Sequence, residues 1–123
     1  MMWIDAYANG WRAGANSVSS AAATSGIKQN VKGLMDKIAN IGRQNARGKD
    51  WRGAAKERMG GKSGGDHTQE MKQSIGALND ATEKLSENIA KHGNSMTSAQ
   101  QTAVKKAINF GNNLKKAMSR IVD

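Results

Sequence analysis

Asp50-Trp51-Arg52-Gly53-Ala54-Ala55 stands between two long segments of helical pattern. A large aromatic close to a glycine in a short connector suits a helix-turn-helix corner. The glycine accepts a tight or left-handed bend, and the indole folds over the crossing to seal the end of the core. Trp51 and Gly53 are therefore the expected turn residues.

N-terminal to this connector, Ile27, Val31, Leu34, Ile38 and Ile41 are spaced four, three, four and three. That is a narrow helical seam, with Lys28, Lys32, Asp36, Lys37 and Arg43 lying off it. Gly42 and Gly48 weaken its far end. The run from Ser17 to Ser25 is small and polar, which permits close helix approach but adds little burial. The pattern predicts a first long helix over 17–48, strongest over 27–47. Before it lies an aromatic arm, 1–16, in which Trp3, Tyr7 and Trp11 recur at every fourth residue and so share one helical face. Docking onto a core or a partner is the expected role. Arg12 is the one base in that region, too little charge for an anionic membrane surface.

C-terminal to the connector, Gly60 to Gly65 reads as a flexible loop, so 49–66 holds the turn and the loop together. Gly61-Lys62-Ser63 resembles the end of a phosphate-binding loop. The glycine required five positions earlier is Lys56, and no strand pattern precedes it, so no nucleotide site is expected. Asp66 with Gln69 reads as a capping box opening a second helical region over 67–122. Its seam runs Met71, Ile75, Leu78, Thr82, Leu85 and Ile89, then His92 and Met96. A long helix over 67–108 is predicted, with a kink or tight corner at Gly93-Asn94 at most and a second capping box at Thr97 to Gln100. A further stripe follows at Ala103, Ala107, Phe110, Leu114, Ala117 and Ile121.

With 123 residues the chain is one domain. Pro and Cys are both absent, which favours helix over sheet and removes disulfides and thiolate metal sites. No apolar run approaches the length of about 18 residues that a membrane span needs, and no cleaved secretory leader is expected. The fold class is therefore all-α: a helical hairpin with an N-terminal aromatic arm and a kinked or separate C-terminal helix. Narrow seams call for company, so packing into a bundle with partner chains is expected. The partner would be another helical protein chain, in a homo- or hetero-oligomer. Its expected interface comprises Trp51, Gly53, Trp3, Tyr7, Trp11, Leu34, Ile38, Leu78, Leu85, Phe110 and Leu114.

Net charge is +9, and it is unevenly placed. Bases cluster between Arg43 and Lys62, and no acid occurs from Asn88 to Val122. The candidate polyanion contacts are Arg43, Arg47, Arg52 and Arg58, with Lys105, Lys106, Lys115 and Lys116. Contact with nucleic acid through these would be unspecific, since only backbone-seeking charges are available. Reactive chemistry is sparse. His67 and His92 are remote in sequence, and Glu70, three residues after His67, makes a surface pair rather than a metal site. No nucleophile, base and orienting group can be assembled. No enzyme activity, cofactor, metal or small-molecule substrate is expected.

A helix, the turn Trp51-Arg52-Gly53 with Ala54-Ala55 after it, a second helix, no Cys and no leader: residues 17 to 108 resemble the small WXG (ESX-type) proteins of type VII secretion. That resemblance implies helical hairpins pairing into four-helix bundles and export without a cleaved signal. It also implies that Trp51 and Gly53 form the recognised turn, together with a partner's tail. The alternative expectation is a structural subunit of a larger helical assembly, such as a phage virion, pilus or secretion machine. A basic nucleic-acid-binding protein is the further alternative.

Overall fold

The computed structural model describes residues 2–46, 53, 54, 56, 57, 59, 60 and 67–122, with side chains from residue 10 onward except at 46. These residues are helices and turns, without a strand. Their long elements are α1 (Met2–Thr24), α2 (Gln29–Ala46), α3 (His67–His92) and α4 (Ser98–Val122). α1 and α2 form one hairpin and α3 and α4 another, and the two hairpins pack into an all-α bundle.

The first corner corrects the expected helix over 17–48. α1 ends at Thr24, where the Ser25 N–H still donates to the Ala21 carbonyl at 3.1 Å. Gly26 then takes a left-handed conformation, φ 71°, which a side chain would strain. Lys28 opens the next helix, its carbonyl accepting from Lys32 N–H at 2.9 Å. The arm over 1–16 is likewise not a separate element, because α1 runs through it from Met2. The side chains of Trp3 and Tyr7 lie outside the described residues.

A second reversal replaces the long helix over 67–108. After His92 the chain makes a single 3-10 turn, Gly93–Ser95, and Met96 is extended at φ −90° and ψ 146°. The capping box expected at Thr97 is present. Gln100 N–H donates to Thr97 Oγ1 at 3.1 Å, and Thr97 N–H donates to Gln100 Oε1 at 3.0 Å. Gln100 Nε2 donates to the Gly26 carbonyl at 3.1 Å, and Gln101 Nε2 donates to the Gly93 carbonyl at 2.7 Å. Two adjacent glutamines thus stitch both corners together at one end of the bundle.

Two reversals change where the apolar stripes go. α4 folds back along α3, so that Thr82 meets Gly111 and Lys115 Nζ donates to Asn79 Oδ1 at 3.1 Å. It also runs antiparallel to α1, with Lys106 Nζ donating to Ser17 Oγ at 3.1 Å. α2 and α4 meet across one diagonal, whereas α1 and α3 scarcely touch. That close diagonal rests on missing side chains. The Phe110 ring seats on Gly14 of α1 and Gly42 of α2, and an added Cβ at Gly42 would stand 2.7 Å from it. Trp11 closes the seat edge-on, ring centroids 5.9 Å apart at 72°.

The core therefore comes from all four helices: Ala15, Val18 and Ala22 of α1, Met35 and Ile38 of α2, Met71, Leu78 and Leu85 of α3, Val104, Leu114 and Met118 of α4. Ile38, Leu78, Leu85 and Leu114, expected to meet a partner chain, are buried within this one. Leu34 and Phe110 are half-buried against the same core. The stripe from Phe110 to Ile121 packs on this chain's own core, because the corner at Gly93 returns it to α2 and α1. Four narrow seams converge on one core.

Candidate functional site

Of the connector singled out by its tryptophan, Gly53 lies against the start of α3, at the end opposite the two stitched corners. Trp51 and Arg52 lie outside the described residues, as do Arg47, Arg58 and the loop residues 61–66 that carry Gly61-Lys62-Ser63. Gly53 and Ala54 are described, helical and buried. The His67 ring lies directly over Gly53, on the spot where a Cβ would be, and its own Cβ is also within 2.8 Å of that spot. No side chain fits there unless the imidazole moves.

Glu57 holds the same end from the other side. Its Oε1 accepts from His67 N–H at 2.9 Å, and its Oε2 accepts from Thr68 N–H at 3.1 Å and Thr68 Oγ1 at 2.8 Å. A carboxylate at the start of α3 satisfies amides that have no partner within the helix and meets the positive end of its dipole. The expected capping box began at Asp66, which lies outside the described residues. Glu57 caps the His67 and Thr68 amides from a position ten residues before the helix. Sequence spacing offers no signal for so distant a cap.

His67 also differs from the surface residue expected. It is 8% exposed, with Nδ1 3.8 Å from Glu70 Oε2. Its chief surroundings are the connector, not water. His92 is exposed at the far end, beside a recess of about 330 Å³ lined by Gly26, Lys28, Asn30, Asn88 and Gln100 among others. Among the described residues no three His, Cys, Asp or Glu side chains gather as metal ligands would, and no helix is long and apolar enough to cross a membrane.

The candidate polyanion contacts divide. Lys105, Lys106 and Lys116 are exposed on the outer face of α4. Lys115 turns to the side, toward Asn79 of α3, in a shallow hollow that also contains Glu83 and Glu87. Arg43 lies on the far flank of α1, where it donates to Asn16 Oδ1 at 3.1 Å, Ser19 Oγ at 2.6 Å and Asn40 Oδ1 at 2.9 Å. By contrast Lys32 pairs with Asp36 at 3.2 Å and Lys84 with Asp80 at 3.1 Å. The acids of the second hairpin all sit on α3, so the bundle has a mixed side and a cationic side.

Compared with protein-family models, with curated proteins and with solved structures, the chain matches none.

Proposed function

We propose that this chain is a non-enzymatic helical interaction protein, similar to the WXG proteins of type VII secretion and exported as a folded bundle without a cleaved signal. One observation carries the reading: Gly53 is buried beneath the His67 ring. The resemblance asks for a turn at Trp-x-Gly, whereas Gly53 is helical and makes no left-handed bend. What supports recognition at this place is that the Gly53 backbone is held by packing on α3. α1 and α4 then occupy the half of the bundle that a second hairpin supplies when two WXG proteins pair. Since the seams face inward, another helical chain would meet the Trp51 end or an outer face.

The test is export from a bacterium with type VII machinery, followed by immunoblotting of the medium. Appearance of the parent chain outside the cell, and retention of a folded Trp51→Ala variant, is the expected result. Retention of the parent with native helicity overturns the reading. Recovery of the parent in large particles would mark it instead as a subunit of a helical assembly.

A further inference from the structure

We infer that the outer face of α4 is a docking surface for the phosphate backbone of double-stranded nucleic acid. α4 contains no Asp or Glu from Ser98 to Val122. Its apolar residues Val104, Leu114 and Met118 are spent on the core. Outward on α4 stand Lys105, Lys106, Asn109, Asn113, Lys116 and Arg120, all exposed. Lys106 is steadied by a neutral acceptor, Ser17 Oγ at 3.1 Å, which fixes the ammonium without cancelling its charge. Arg43, also bonded to neutral acceptors, extends the cationic side beyond α1.

The kind of partner follows from what this face lacks. Peripheral membrane helices insert apolar side chains, and protein interfaces have an apolar centre. This face has neither, and the one large hydrophobic exposed among the described residues is Met59, outside α4. Single strands are held by stacking on aromatics, also missing here. Duplex interfaces are polar, wet and positive. Along a helix rising about 1.5 Å per residue, the Lys105-Lys106 pair and Lys116 stand about 16 Å apart. That separation lets them reach phosphates on either side of a groove about 12 Å wide, with Asn109 and Asn113 between them.

The test is fluorescence anisotropy of labelled 20-base-pair DNA and RNA duplexes, titrated with the full chain over a series of salt concentrations. In the variant Lys105→Gln/Lys106→Gln/Lys116→Gln, affinity at 0.1 M salt should fall at least about tenfold. Its dependence on log salt should become shallower by about 3. The charge-matched control Lys37→Gln/Lys72→Gln/Lys91→Gln, altered at exposed positions of α2 and α3, should keep the parental slope. Equal losses in both variants would mean that net charge alone attracts the duplex, and the inference would fall. So would undetectable duplex binding by the parent, or tighter binding to anionic lipid vesicles through the same three lysines. Circular dichroism of both variants establishes that the bundle is intact. Export plays no part in this measurement, so its outcome is independent of the secretion reading.

Discussion

His67 stands over Gly53, and the imidazole fills the volume that any side chain at that position would claim. Gly53 is helical, and in a helix alanine is ordinarily favoured over glycine by about 1 kcal/mol. Packing should reverse that preference. Gly53→Ala is expected to lower the free energy of unfolding by about 1–3 kcal/mol, the usual cost of overfilling a packed site. Urea denaturation measures it. Adding His67→Ala should recover part of the loss, and additive effects in the double variant would show that the two positions do not compete for space.

Phe110 makes the same demand where α4 meets α1 and α2. With Gly14 and Gly42 both pressed against its ring, Gly42→Ala should cost about 1–3 kcal/mol. Shortening the ring in Phe110→Leu should make that alanine better tolerated. Thermal unfolding of the two singles and the double variant gives the coupling, and its sign is the prediction.

Leu78 is 0% exposed. Leu78→Ala removes buried methyl groups and leaves a cavity, for an expected loss of about 2–5 kcal/mol at unchanged denaturant slope. A loss below about 0.5 kcal/mol would place that side of α3 in solvent.

Glu57 is expected to act locally. Glu57→Ala removes three acceptor contacts at the start of α3 and should cost about 0.5–2 kcal/mol, in the range of a lost N-cap. Glu57→Gln keeps the shape but loses the charge facing the helix dipole, so its loss should be smaller. Native-state hydrogen exchange should show faster exchange at the His67 and Thr68 amides, with the Leu85 region unchanged.

Much of the fold was legible because four-three spacing marks one face of a helix. Val31, Ile38, Ile41, Met71, Leu78 and Leu85 are all buried, as their seams require. The seams say nothing of which stripe meets which. Met35 and Ala39 fall off the narrow α2 stripe yet are buried, because α2 contacts α1, α3 and α4 and needs a broad apolar face. Val18 and Ala22 were hidden in a small polar run and Ala15 at the end of the aromatic arm, although small residues are what let α1 approach closely. Gly26 and Gly93 carried the decisive information. Gly26 lies unremarked inside the expected helix over 17–48, Gly93 reads as a kink or tight corner at most, and each proves a full reversal of the chain. Treated as corners, they turn one hairpin into two and bring the last stripe home. The candidate site was less legible: Gly53 was visible, but His67 covers it and Glu57 caps α3 through tertiary contacts that leave no periodic signal.

The glycine seat for Phe110 also has a timetable. Gly14 and Gly42 belong to the first hairpin, and the ring that fills the seat is synthesised about 70 residues after Gly42. At elongation rates of about 5–20 residues per second, the first hairpin waits several seconds on the ribosome with its groove open. During that interval it is a half-bundle presenting an apolar cleft to chaperones, and to other nascent copies of itself. Completion of α4 ends that exposure, so a helix made late serves as the stopper for a groove made early.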